Sequence, residues 1–127
     1  MADSERRLVR GPTQVWRALQ WSLQGLAACW RLESSFRLEC LLALVLAPLG
    51  LWLGQTPVER VLLVASLLAV IAMEVMNSAL ESLADRFGTE RNELIGRAKD
   101  MGSAAVFVLM MNVLLVWGLL LLPRLWA

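Results

Sequence analysis

Residues 101–122 read Met-Gly-Ser-Ala-Ala-Val-Phe-Val-Leu-Met-Met-Asn-Val-Leu-Leu-Val-Trp-Gly-Leu-Leu-Leu-Leu, a run without a single charge. As an α-helix, about 22 residues rising 1.5 Å each reach roughly 33 Å, enough for a hydrocarbon core of about 30 Å. The run predicts a membrane span from about residue 100 to 122. Pro123, Arg124 and Trp126 then supply a helix breaker, a charge and an interfacial ring.

Two more apolar runs lie upstream. The stretch from Val61 to Leu83 is long enough to cross, yet it carries Glu74, Asn77 and Glu81 inside it. An earlier one, Cys40 to Gly54, reaches spanning length only if its helix starts near Ser35, with Arg37 and Glu39 at the headgroup level. The turn signal Gly54-Gln55-Thr56-Pro57 joins these two as an antiparallel hairpin. The expected fold is an all-α membrane protein in one domain over 1–127, with spans at about 35–54, 58–84 and 100–122.

Composition supports a membrane as solvent. Of the 127 residues 58% are hydrophobic and 18% charged, with a mean hydropathy of +0.61, too apolar for a soluble domain of this size. A net charge of +1, with no gathered basic face, argues against a nucleic-acid partner. Histidine and tyrosine are absent, so any acid or base work falls to carboxylates. Cys29 and Cys40 lack metal-ligand spacing and read as packing thiols. The opening Met-Ala-Asp-Ser-Glu-Arg-Arg has no apolar run after it and does not read as a cleavable signal peptide.

From about 13 to 31 the pattern changes. Trp16, Leu19, Leu23, Leu26 and Trp30 share one helical face, while Arg17, Gln20, Gln24 and Arg31 take another. Such a helix lies on the bilayer surface or packs its apolar face on the spanning bundle. Arginines precede the first span at 6, 7, 10, 17, 31 and 37, and Arg86, Arg91, Arg97 and Lys99 lie between the second and third. Only Arg60 and Arg124 fall on the other side, so the N-terminus and the 85–100 loop are expected in the cytoplasm and the C-terminus in the periplasm, across a bacterial inner membrane.

On an ideal helix Glu74, Asn77, Glu81 and Asp85 fall at about 0°, 300°, 340° and 20°, one acidic arc running to the cytoplasmic edge. Ionisable groups at membrane depth cost a few kcal/mol each by insertion scales, which points to substrates, ions, protons or partner helices. At the same edge the chain offers Glu33 and Glu39, then Glu90, Glu93, Arg97, Lys99 and Asp100. Carboxylates beside cations are what MgATP chemistry uses, although Glu90 and Glu93 also fit a solvated loop. No Walker loop or kinase glycine-rich loop exists here.

Three runs together carry a resemblance: Glu74-Val75-Met76-Asn77-Ser78-Ala79-Leu80-Glu81, Asp85-Arg86, and Gly96-Arg97-Ala98-Lys99-Asp100-Met101-Gly102-Ser103-Ala104-Ala105-Val106. With Glu33-Ser34-Ser35-Phe36-Arg37-Leu38-Glu39, they resemble the bacterial integral-membrane diacylglycerol kinase family from about Trp21 onward. The resemblance implies a homotrimer, each chain with three spans and a surface helix, that moves the γ-phosphate of MgATP to the primary hydroxyl of diacylglycerol. It implies Glu74 as general base and Glu33 and Glu81 as Mg²⁺ carboxylates. Gln14, Trp21, Glu33, Glu81, Glu90, Lys99 and Asp100 are its nucleotide positions, and Trp30, Arg37, Glu39, Asn77 and Ser103 its lipid positions. The chain departs from the pattern at Gln14, where the family has a basic residue, at Trp21, usually tyrosine, and at Arg91-Asn92.

Undecaprenol kinases share the Glu-x-x-Asn-x-x-x-Glu helix, but the run from Gly96 to Ala105 resembles the diacylglycerol branch more closely. A proton-coupled transporter would use Glu74 as a relay, yet leaves the gathering of Glu33, Glu81, Lys99 and Asp100 without a purpose.

Overall fold

The computed structural model describes residues 11–87 and 92–126. Its elements are α1 (Pro12–Leu32), α2 (Ser34–Leu53), α3 (Pro57–Asp85), α4 (Glu93–Leu121) and a closing 3-10 turn (Leu122–Leu125). Three stretches, Ser34–Leu53, Pro57–Asp85 and Glu93–Leu125, are long and apolar enough to cross a membrane. The central helix α3 packs against both α2 and α4, and α1 lies against α2 and α3.

The burial pattern is inverted relative to a water-soluble bundle. Leu44 and Leu114 are 72% and 65% exposed, while Glu74 and Asn77 keep only 6% and 9% of their surface. In lipid an outward leucine costs nothing, whereas a polar group gains by turning toward its neighbours. Ser66 follows this logic inside the bundle: its hydroxyl donates to the Leu63 carbonyl at 2.8 Å. The Trp117 indole N–H, arriving from α4, points at both the Leu63 carbonyl and the Ser66 Oγ, each at 3.2 Å. Gly50 on α2 leaves room for that ring; a β-carbon there would stand 3.4 Å from it and 3.2 Å from Leu63 Cβ.

Each helix end has a local cause. Gly11 precedes Pro12 with φ +84°, a conformation that costs glycine little, and Pro12 suits the first helical turn. Glu33 alone separates α1 from α2; its extended backbone bends the chain, and its N–H still donates to the Cys29 carbonyl at 2.9 Å. The Arg37 guanidinium reaches back to the carbonyls of Trp30 and Arg31, at 2.8 and 3.2 Å, satisfying acceptors at the C-terminus of α1. α2 runs unbroken through Pro48.

The α2–α3 hairpin forms where the Gly-Gln-Thr-Pro signal put it. Thr56 caps α3 by accepting from the Glu59 N–H at 3.2 Å, and Glu59 Oε2 accepts from the Gln55 N–H at 2.7 Å, a variant of the capping box. Arg124 donates to the same Glu59 oxygen at 2.7 Å and to the Leu53 carbonyl, fastening the end of the chain to this turn.

α4 begins at Glu93, earlier than the expected start near 100. The cause is Asn92, whose side-chain oxygen accepts from the N–H groups of Leu94 and Ile95, at 2.9 and 3.4 Å. The polar segment Glu93 to Asp100 therefore continues the membrane helix rather than forming loop. The apolar face of α1 is not covered by the other described residues: Trp16, Leu19, Leu23, Leu26 and Trp30 are all exposed, and Cys29 is the one residue α1 buries. This favours the bilayer surface over the bundle as its seat.

Candidate functional site

A cleft of about 400 Å³ opens where α2, α3 and α4 meet, lined by Glu33, Ser35, Glu39, Glu74, Asn77, Glu81, Ser103, Val106, Phe107 and Met110. Three of its polar residues are the arc of α3, which helical periodicity forces onto one face. The others come from outside that helix. Glu33 arrives from the bend between α1 and α2, Glu39 from α2 about a turn and a half further on, and Ser103 from α4.

Close packing sets the spacing of the walls. Asn77 approaches α4 at Gly102, where its amide oxygen occupies the space a β-carbon would take, and Leu80 Cδ1 lies 3.2 Å from that same position. The Asn77 amide donates to Glu81 Oε1 at 3.4 Å, steadying that carboxylate from within the helix. The carboxyls of Glu39 and Glu74 face each other across the α2–α3 contact. Glu39 Oε2 and Asn77 Oδ1 are buried with no hydrogen-bond partner among the described residues. Buried acceptors in that state ask for a donor or a cation from beyond the described residues.

Among the described residues, no lysine or arginine forms an ion pair with Glu33, Glu39, Glu74 or Glu81. Among the described residues, no three carboxylates converge closely enough to cage a metal alone. Hard carboxylate oxygens from Glu33 and Glu81 nonetheless fit Mg²⁺ bound with a nucleotide, which takes one or two protein carboxylates and completes its shell from phosphate and water.

Other residues singled out from the sequence lie elsewhere. Trp30 is exposed on α1 with its carbonyl held by Arg37, whose guanidinium sits at the α1–α2 corner and does not line the cleft. Gln14 is exposed on α1, Trp21 is half-buried there, and Asp100 is exposed on α4. Lys99 pairs with Asp85, the two side chains meeting at 3.0 Å. Glu90 lies outside the described residues. Cys29, at 8% exposure, faces Ser78 beside Glu33; burial, then the neighbouring Glu33 charge, pushes its thiol above the ordinary range.

Ser35, Val106, Phe107 and Met110 also line the cleft and were not foreseen. A signal existed for the last three: counted from Ser103, they stand at i+3, i+4 and i+7, the same helical face. Beyond Glu39 and Met110, which it shares with the cleft, a second groove of about 360 Å³ runs among the spans, walled by residues such as Leu42, Leu46, Val70 and Leu114.

Comparison with known proteins agrees with this architecture. The family model described as prokaryotic diacylglycerol kinase matches residues 20–121. The chain is 49% identical over 108 residues to a diacylglycerol kinase of Haemophilus influenzae, covering 85% of this chain and 92% of that one. It is 41% identical over 111 residues to the diacylglycerol kinase of Escherichia coli strain K12, covering 87% and 91%. A Pseudomonas aeruginosa diacylglycerol kinase is 39% identical over 122 residues, covering 96% and 99%.

Proposed function

The chain belongs to the prokaryotic diacylglycerol kinase family, and on that premise we propose that it transfers the γ-phosphate of MgATP to the primary hydroxyl of diacylglycerol, giving phosphatidic acid and ADP. The observation that carries this reading is the convergence of Glu33 from the α1–α2 bend, Glu74, Asn77 and Glu81 from α3 and Ser103 from α4 on one cleft in an otherwise apolar bundle. Ionisable side chains gathered at membrane depth are costly unless they serve chemistry or transport.

Glu74 is the general base. It accepts the proton of the lipid hydroxyl as that oxygen bonds to the γ-phosphorus and the bond to the ADP oxygen breaks. Glu33 and Glu81 would hold Mg²⁺, which would supply neutralisation of the charge developing on the phosphates. Asn77 keeps Glu81 in register and, with Ser103, offers hydrogen bonds to the glycerol headgroup. The apolar groove beyond Glu39 and Met110 is the natural path for an acyl chain whose headgroup sits among the carboxylates. Confining the hydroxyl there makes the reaction effectively intramolecular, which supplies much of the rate. Direct transfer suffices, with no phosphoenzyme.

The working form is a homotrimer in the bacterial inner membrane, with the N-terminus and the 85–100 segment cytoplasmic and the C-terminus periplasmic. The arginine distribution supports that orientation. The decisive assay uses purified protein in mixed micelles with γ-labelled ATP and Mg²⁺, offered diacylglycerol and undecaprenol in separate reactions. Label is expected in phosphatidic acid. Label in neither lipid rejects the kinase reading, and label in undecaprenyl phosphate alone transfers it to the other lipid.

A further inference from the structure

Asp85 belongs to the same arc as Glu74, Asn77 and Glu81, yet it does not line the cleft. It stands one helical turn beyond Glu81, at the end of α3, with its side chain 71% exposed. Its Oδ1 accepts from Lys99 Nζ at 3.0 Å. Lys99 is the only lysine of the chain, and it stands one turn before Ser103, which does line the cleft. The pair thus bridges α3 and α4 one turn past the carboxylates, at the loop end of the site.

An exposed ion pair of this kind adds little to stability. Its geometric consequence is larger. A lysine ammonium rides on a flexible four-carbon stem, and a carboxylate within hydrogen-bonding distance selects one orientation for it. The cleft meanwhile presents carboxylates without any cation partner among the described residues, and a polyphosphate approaching it meets repulsion. A fixed positive charge at the mouth offsets that repulsion. The ammonium has three donors, so one can remain on Asp85 while the others reach phosphate oxygens. Protein kinases meet the same requirement with a lysine–glutamate pair that must be in place for transfer.

We propose that Asp85 is a positioning residue: it holds the Lys99 ammonium at the mouth of the cleft, oriented for the polyphosphate of a nucleoside triphosphate. The proposal rests on the kinase reading and assigns Asp85 a task in nucleotide binding, without contact to the reacting atoms.

The test compares the full chain with Asp85→Asn, Asp85→Glu, Lys99→Gln and the Asp85→Asn/Lys99→Gln double variant, all in detergent. A fluorescent ATP analogue with Mg²⁺ is titrated to measure binding without turnover, and kcat and KM are measured separately for MgATP and for diacylglycerol. Asp85→Asn is expected to weaken analogue binding and raise KM for MgATP by about three- to tenfold, with KM for the lipid unchanged. Asp85→Glu restores most of the loss. In the Lys99→Gln background, Asp85→Asn adds nothing, because no ammonium is left to position. Unchanged or tighter binding in Asp85→Asn overturns the proposal, as does an equal further loss in the Lys99→Gln background. If the unaltered chain binds the analogue but labels no lipid, the kinase reading falls and the Asp85 result is still decided by binding. Failure of the unaltered chain to bind nucleotide rejects both.

Discussion

The amide oxygen of Asn77 lies against the α4 backbone at Gly102, in the space that a β-carbon at that position would fill. Two helices meet there, and the same amide steadies Glu81 in the cleft. Gly102→Ala must therefore push Asn77 aside or part α3 from α4. Turnover is expected to fall by about 10- to 100-fold, since displacements near an ångström carry penalties of that order. Gly96→Ala is the control: it sits on the same helix with nothing within 4 Å of its would-be β-carbon, and activity should hold. Full activity in Gly102→Ala would remove Asn77 from any role in ordering the site.

At the opposite end of the bundle, Arg124 binds Glu59 and the Leu53 carbonyl, tying the end of the chain to the α2–α3 turn. The clamp is far along the helices from the carboxylate cleft and touches none of its residues. Arg124→Ala is expected to lower the thermal midpoint by a few degrees and to leave KM for MgATP unaltered. Glu59→Ala loses the same ion pair together with its bond from the Gln55 N–H, and the double variant should lose less than the sum of the two single variants, because the ion pair is common to both. Additive losses would show that the two side chains act separately.

The α3 arc was legible in the sequence because helical periodicity converts spacing directly into a face: Glu74, Asn77 and Glu81 fell where counting put them. Glu33 joins them from the α1–α2 bend and Ser103 from α4, a convergence that depends on how the helices pack. Local spacing holds no information about the Glu39–Glu74 approach or the Asn77–Gly102 contact, because each depends on the distance between helix axes. Arg37 reads in the sequence as a charge at the membrane edge; its contact with the last carbonyls of α1 depends on the bend at Glu33, which local spacing does not encode. The apolar wall of Val106, Phe107 and Met110 was hidden by chemistry: in a uniformly apolar helix nothing separates residues that face a substrate from those that face lipid.

Cys29 supplies a pH-dependent observation on α1. Burial and the nearby Glu33 charge hold its thiol pKa above the ordinary value, so at neutral pH the nucleophilic thiolate is scarcer than in a free cysteine. In a Cys40→Ala background, alkylation by a water-soluble maleimide should be slow at pH 7 and rise only as the pH climbs beyond the usual cysteine range. Glu33→Gln removes the larger of the two neighbouring charges that raise it, the other being Glu74, and should shift that rise to lower pH. Rapid labelling at neutral pH would mean that α1 leaves the bundle readily enough to expose the thiol.

Glu74 and Glu81 lie two turns apart on one face of α3 and line one cleft, but a base and a metal carboxylate fail differently when neutralised. Glu74→Gln keeps the shape and the hydrogen-bonding capacity and loses only the ability to take the proton. Turnover is expected to drop by roughly 100-fold or more, with MgATP affinity nearly unchanged. Glu81→Gln instead removes the carboxylate proposed to hold Mg²⁺ and leaves the Asn77 amide without its charged acceptor. Its KM for MgATP should rise and its turnover should fall, because the γ-phosphate is no longer held in line. Raising Mg²⁺ should partly rescue Glu81→Gln, and Glu33→Gln likewise, but never Glu74→Gln, whose defect is a missing proton acceptor. Steady-state kinetics across a Mg²⁺ series separates the two patterns. Near-normal turnover in Glu74→Gln would take the role of base away from it; Glu39, whose carboxyl faces Glu74 in the same cleft, would then be the residue to neutralise next.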